Sequence, residues 1–258
     1  MINEELINNY GKSLNQKYNA VCFDIDGTLT ENNSKKIDVR VLPMLANILK
    51  KHITVVFITG RGETGLNDLS KEIVNDLKNK YGVTDRQLQR MYALTNDGAR
   101  IFMTSKNSSQ IFNVSEYIST PEDLTCLREL NEKIKKILET TSLKNCCQIS
   151  YSKDLSNDII INIRLLVLID DEQIANKIID MIASLIADTK NSNLNLTMGI
   201  HEGKRILQIG TATKNTAINI AERIIGIPQN SMLRIGDCGD RYGNDYSMLN
   251  CPQGFSVR

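Results

Sequence analysis

The sequence predicts an α/β protein, a core built on a parallel sheet and interrupted by a smaller α+β unit. Three observations predict it. Short apolar runs recur and each stops at a polar turn: Ala20 to Ile25 at Asp26-Gly27, Ile53 to Ile58 at Thr59-Gly60, Tyr92 to Thr95 at Asn96-Asp97-Gly98, and Met232 to Ile235 at Gly236-Asp237. Runs of this length and character are buried parallel strands, because helices cover both faces of such a sheet. The central stretch breaks that alternation and reads helix, strand, strand, helix, strand, strand, a unit able to form an antiparallel sheet covered by two helices. Finally, 258 residues exceed one compact domain by enough to hold a second, smaller one.

Taken in order, Ala20 to Ile25 is the first strand and Ile53 to Ile58 the second. Residues 37–50 between them carry apolar side chains at helical spacing, with Pro43 near the first turn. A further helix over residues 67–80 leads to the third strand, Tyr92 to Thr95. In the insertion, Pro121 to Thr140 has acids first and lysines later, as the helix dipole favours. Cys147 to Ser152 and Ile159 to Leu168 read as strands, Asp171 to Ala187 as a helix, and Leu194 to Gly199 and Arg205 to Ile209 as two more strands around His201-Glu202-Gly203. Asn215 to Ile225 returns to helix, Met232 to Ile235 is the fourth core strand, and Phe255 begins a fifth. The core therefore occupies residues 1–103 and 205–258, and the insertion residues 104–204.

Composition excludes several functions. The 31 Lys and Arg balance 30 Asp and Glu, so a net charge of +1 provides no field for nucleic acid or an anionic membrane. The six cysteines lack CxxC spacing, which fits a reducing compartment and a cytoplasmic location. Met-Ile-Asn-Glu-Glu at the N-terminus is not the start of a secretory signal. The most apolar run, Asp158 to Leu168, contains Asn162 and Arg164 and is too short to span a bilayer. Oligomeric state is not legible.

The polar groups at the strand ends carry the chemistry. Ligands of an open parallel sheet bind beyond the carboxyl ends of its strands, so Asp24, Asp26, Thr59 and Asp237 can converge despite their separation in sequence. Alternation along an extended strand puts Asp24 and Asp26 on one side, and Gly27 lets the chain turn and bring N–H groups towards an anion. Crowded carboxylates need a cation, and oxygen ligands suit Mg2+. Lys214, at a helix start, adds positive charge beside a transferring phosphoryl group.

In this order, Asp24-Ile25-Asp26-Gly27-Thr28-Leu29-Thr30, Thr59-Gly60-Arg61, Lys214-Asn215-Thr216-Ala217, and Gly236-Asp237 with Gly243-Asn244-Asp245 resemble the motifs of haloacid dehalogenase superfamily phosphatases. The insertion between the second and third motifs resembles the cap of the group holding sucrose-phosphate, trehalose-phosphate and mannosylglycerate-phosphate phosphatases and phosphomannomutases. The resemblance implies a Rossmann-like core with strand order 5-4-1-2-3 and a smaller α+β cap. It implies magnesium-dependent hydrolysis of a small phosphorylated metabolite, a sugar phosphate foremost, through a phospho-aspartate. It makes Asp24 nucleophile and metal ligand, and Asp26 general acid and base with its carbonyl on the metal. Thr59 and Gly60 bind phosphate, Lys214 steadies nucleophile and phosphoryl group, and Asp237 and Asp245 complete the metal site. The fourth motif departs from the family's shorter spacing. Asp245 is favoured as its second acid because Asn244 precedes it and Tyr246-Ser247-Met248-Leu249 continues as a helix, with Asp240 as the rival.

Taken singly, these residues have blander readings. Asp24, Asp26 and Asp237 suit turns or caps, Thr59-Gly60 a strand-ending turn, and Lys214 a solvated helix start. Arg61, Asn96 and Asp97 at strand ends, and His201, Lys204 and Arg205 in an insertion turn, are candidates for contacting substrate. Their alternatives are loop structure and a solvated hairpin. A phosphosugar mutase of the same fold would keep the nucleophile but return the phosphoryl group to another hydroxyl. A non-catalytic phosphometabolite-binding protein would not need a nucleophile with a neighbouring acid.

Overall fold

The computed structural model describes residues 16–30, 36–62, 73–104, 109–113, 119–153, 160–189, 193–201, 204–240 and 243–257. In chain order the elements are β1 (Ala20–Phe23), α1 (Leu42–Lys50), β2 (Thr54–Ile58), α2 (Asp85–Leu88), β3 (Met91–Thr95), β4 (Arg100–Thr104) and β5 (Ser109–Asn113). There follow α3 (Pro121–Thr140), β6 (Cys147–Lys153), β7 (Ile160–Val167), α4 (Glu172–Ala187), β8 (Asn195–His201) and β9 (Lys204–Gly210). The chain closes with α5 (Lys214–Ile225), β10 (Met232–Gly236), α6 (Tyr246–Leu249) and β11 (Gly254–Ser256). Of the helix read over residues 67–80, residues 73–79 are helical and residues 67–72 lie outside the described residues.

Two compact units result, one of residues 1–112, 214–240 and 245–258, the other of residues 113–213 and 241–244. The first is built on a seven-stranded sheet ordered β11-β10-β1-β2-β3-β4-β5. Pairing is parallel from β11 to β3 and antiparallel between β3 and β4. The order 5-4-1-2-3 is therefore present, with two strands added beyond the third. Every residue of β1 and β2 is buried, which is why their sequences are continuously apolar rather than alternating. Leu45, Ala46 and Leu49 of α1 pack against Val21, Phe23, Val55 and Phe57. Pro43 sits in the first turn of α1, where its missing N–H costs no helix bond.

The second unit holds a four-stranded sheet ordered β6-β7-β9-β8, antiparallel throughout. Leu127, Leu130 and Ile134 of α3 and Ala175, Ile178 and Ile182 of α4 form one core with Ile163, Leu165, Leu207 and Ile209. Thr120 and Asp123 make a reciprocal capping box at the start of α3, and Asp171 caps α4.

The boundaries read from sequence, 104 and 204, differ from the division between the compact units. β4 pairs with β3 and β5 lies beside β4, so both belong to the core sheet, where Ile101 and Phe102 bury their side chains. At the other end, β9 pairs with both β7 and β8 and belongs wholly to the second sheet. Among the described residues no helix is long and apolar enough to cross a membrane.

Candidate active site

The parallel register brings the polar strand ends side by side. Phe23 pairs with Ile235 on one flank and with Phe57 on the other. Asp24, just past β1, donates its N–H to the Ile235 carbonyl at 2.9 Å, while Asp237 and Thr59 follow β10 and β2. At Gly27 φ is 83°, a value that glycine adopts without strain, and its N–H donates to Thr30 Oγ1 at 3.1 Å. The turn returns Thr28 to the strand end, where its hydroxyl donates to Asp24 Oδ2 at 3.1 Å.

Lys214 opens α5 and is only 1% exposed. Its Nζ donates to Asp24 Oδ1 at 2.5 Å and also to Asp245 Oδ1. A buried ammonium is costly unless carboxylates surround it, and here two do. Asp245 is itself fully buried, and its Oδ2 accepts the N–H of Asp237 at 2.9 Å and of Cys238 at 3.0 Å. The absence of a side chain at Gly236 permits this, since a Cβ there would lie 2.5 Å from Asp245 Oδ2. Asp240 is exposed, so of the two rival acids it is Asp245 that stands beside Asp24 and Lys214.

Burial raises the Asp24 carboxyl to about 7, with Asp245 and Asp237 adding to the rise and Lys214 opposing it. Burial also disfavours the Lys214 charge, but Asp24, Asp245 and Asp97 outweigh it and push its pKa up. Asp24, Asp237 and Asp245 offer carboxylate oxygens within 4.8 Å of one another. Three buried carboxylates outnumber the one ammonium among them, and an all-oxygen donor set suits Mg2+. The residues therefore fit the metal that the resemblance implies.

Thr59 is fully buried, and its Oγ1 accepts the Arg61 N–H at 3.1 Å. The Arg61 guanidinium engages both oxygens of Asp26, with Nε at 3.0 Å from each. Thus the Asp26 side chain, about half exposed, is engaged by Arg61, a pairing the sequence did not signal. At the end of β3, Asn96 and Asp97 are buried and have positive φ, 48° and 56°. Their N–H groups donate to the Arg61 and Thr59 carbonyls, each at 3.0 Å, which fixes this turn to the one after β2. Next, a Cβ on Gly98 would lie 2.7 Å from the Ala217 Cα, so the turn abuts the first turns of α5.

Of the insertion candidates, Lys204 and Arg205 fall on opposite faces of the sheet. Lys204 is exposed opposite His201 at the end of the β8–β9 hairpin, and the His201 side chain lies outside what is described. Arg205 lies on the sheet's other face, 3.2 Å from Glu172 of α4. Thr28 and Gly236 are contributors that residue-by-residue reading passed over. The threonine is visible in the Asp24-to-Thr30 run, whereas the glycine's role needs the position of Asp245.

Comparison with known proteins identifies the family. The model of the haloacid dehalogenase-like hydrolase family matches residues 21–256. Among curated proteins none matches the sequence. The solved structure of IMP-bound Plasmodium falciparum IMP-nucleotidase is similar at a TM-score of 0.72, with 16% identity over 93% of this chain and 64% of the other. This chain thus spans less than two thirds of that relative's length. The ATP-bound form of the same nucleotidase is similar at 0.67, with 16% identity over 93% of this chain and 57% of the other. The C-terminal domain of C. albicans trehalose-6-phosphate phosphatase follows at 0.56, with 17% identity over 97% and 78%. At such identities the likeness is one of fold.

Proposed function

The chain belongs to the haloacid dehalogenase-like hydrolases, and from that premise we propose that it hydrolyses a small phosphomonoester through a phospho-aspartate at Asp24. The observation that carries this reading is the buried Lys214 bridging Asp24 and Asp245 beside Asp237. A nucleophile, a fixed cation and a cation-hungry carboxylate cluster together at strand ends are a phosphoryl-transfer arrangement, where positioning and charge neutralisation supply most of the catalysis. Asp24 and Asp237, with Asp245 and the Asp26 carbonyl, would hold Mg2+, which when bound neutralises charge on the phosphoryl oxygens.

The residues divide the work as follows. Lys214 and Thr28 each hold one oxygen of the Asp24 carboxylate, and one of these hydrogen bonds yields as Asp24 attacks phosphorus and the bond to the leaving alcohol breaks. Thr59, with its hydroxyl oriented by the Arg61 N–H, binds a phosphoryl oxygen alongside Gly60. Asp26 gives its proton to the leaving oxygen and later takes one from the water that opens the aspartyl phosphate, regenerating Asp24 and releasing phosphate. For this, the Arg61 pair with Asp26 must open. The second unit then acts as a cap that selects the substrate, a role consistent with a core whose polar groups are already engaged in phosphate, cation and proton handling.

A sugar phosphate is the substrate class we favour. The likeness to a nucleotidase that binds IMP supports a nucleoside monophosphate as the second reading. The test is phosphate release from p-nitrophenyl phosphate with magnesium, together with acid-quenched enzyme probed for a hydroxylamine-labile phosphate on Asp24. Turnover without any such label would remove the covalent step. Transfer to another hydroxyl without free phosphate would indicate a mutase, and tight binding without turnover a sensor.

A further inference from the structure

The turn after β1 closes on itself. The Ile25 carbonyl accepts the N–H groups of Thr28, Leu29 and Thr30 at 3.3, 2.9 and 3.1 Å, and the Gly27 N–H donates to Thr30 Oγ1. These bonds do not involve the Asp26 carboxylate, which is 53% exposed. Both of its oxygens are nevertheless taken. Arg61 Nε lies 3.0 Å from Oδ1 and from Oδ2, and its Nη2 lies 2.5 Å from Oδ1. An ion pair this open to water changes a folding equilibrium by less than about fivefold, so holding the turn does not account for it.

Arg61 is fixed at its main chain and free to turn at its tip. Its N–H donates to Thr59 Oγ1 at 3.1 Å, and its carbonyl accepts the Asn96 N–H at 3.0 Å. The side chain therefore starts beside Thr59 and Gly60, to which phosphate binding was given above, and ends on Asp26, to which the leaving oxygen was given. One residue spans the groups that serve the two ends of the breaking bond. A guanidinium offers phosphate oxygens the same fork that it offers a carboxylate. A phosphate monoester brings about two negative charges to that fork, where Asp26 brings one.

We propose that Arg61 is a latch opened by the substrate: in the empty protein its guanidinium occupies Asp26, and the phosphoryl group of an arriving phosphomonoester draws it away. The proposal rests on the phosphatase reading above and adds to it the event that frees Asp26. While Arg61 holds both carboxylate oxygens, neither reaches a leaving alcohol. Once the guanidinium turns to the phosphoryl oxygens, Asp26 is released, and the phosphoryl group gains a cationic side chain besides Lys214. Binding of phosphate and release of the acid thus become one step.

Phosphate affinity and leaving-group dependence test this together, with magnesium present, on the full chain and on Arg61→Gln and Arg61→Lys, with thermal midpoints measured to show that both variants fold. By calorimetry, inorganic phosphate should bind Arg61→Gln about tenfold more weakly, the effect of one lost charge-assisted hydrogen bond, and Arg61→Lys should recover part of the difference. The KM values for p-nitrophenyl phosphate and glycerol 2-phosphate should rise by a similar factor. The ratio of kcat between these two esters should stay within about twofold of wild type. Nitrophenolate leaves without a proton whereas an alkoxide needs one, and Asp26 is free of Arg61 at that step in every variant. Phosphate affinity that is unchanged or tighter in Arg61→Gln overturns the proposal, because the guanidinium then does not move to phosphate. A loss of kcat confined to glycerol 2-phosphate also overturns it, since Arg61 would then be holding Asp26 in place during proton transfer. If the wild type turns over neither ester, the phosphatase reading fails instead. Calorimetry then decides the latch alone, with equal phosphate affinity for wild type and Arg61→Gln overturning it.

Discussion

Lys214 takes its place from three directions, because Asp24 and Asp245 accept its hydrogens and Asp97 adds its field from the turn after β3. If Asp24 is the nucleophile, Asp24→Asn should lower turnover by at least about a thousandfold, since an amide forms no acyl phosphate. Phosphate release by sequence-verified protein checks this, and near-normal activity would exclude the role. Asp97 allows a finer separation of charge from shape. Asn tolerates the left-handed backbone at least as well as Asp, so Asp97→Asn should leave the thermal midpoint unchanged. Its kcat should nevertheless fall about tenfold with KM little altered, because Lys214 loses part of the field that holds it. An unchanged kcat would mean that Asp97 merely forms the turn. Much of the residue scale was legible in sequence because Asp24, Thr59 and Asp237 stand where apolar runs stop. The Lys214 contact with Asp24 spans 190 positions and needed the family's motif order to be anticipated. The pairing of Arg61 with Asp26 had no sequence signal, because the two side chains meet only through the register of β1 and β2.

At the scale of elements, α3 was readable to its ends because Thr120 and Pro121 mark its start and the apolar stripe continues to Leu138. The strands β4 and β5 were not, since a run such as Arg100–Thr104 carries no mark saying which sheet it joins. Asp123 links two elements of the second unit. It closes the capping box with Thr120 and accepts the Asn193 N–H at 2.8 Å. Burial alone would raise its pKa, but these hydrogen bonds outweigh burial and hold it below the ordinary carboxylate value. A depressed folded-state pKa means that the contribution is complete above the unfolded value of about 3.9 and is lost as pH falls through the lower folded value. Asp123→Ala should therefore destabilise the chain by about 1–2 kcal/mol at neutral pH, and the difference from wild type should shrink below about pH 4. Denaturant unfolding at the two pH values measures it. A difference that persists unchanged at low pH would assign the effect to packing instead.

For the whole molecule, the separate cores of the two units have a thermodynamic consequence. One cluster gathers α1 with β1 to β3, the other gathers α3 and α4 with β6 to β9, and each is large enough to unfold as a cooperative unit. The acid cluster formed by Asp24, Asp237 and Asp245 belongs entirely to the first unit. A ligand that binds only the folded form of one unit stabilises that unit by mass action, by about 2.7 kcal/mol at a hundredfold excess over its Kd. If the cluster holds magnesium, the ion relieves mutual repulsion among those buried carboxylates and should raise the unfolding temperature of the first unit. The second unit has no share in the cluster, so its transition should stay where it was. Calorimetry with chelator and then with magnesium should accordingly resolve two transitions, of which one moves. Asp237→Asn removes one of the clustered charges and should abolish the shift while leaving both transitions present. A single transition that moves as a whole would show that the units unfold together. Two transitions with no shift would argue that the cluster does not hold the metal, and Lys214 alone would then balance its acids.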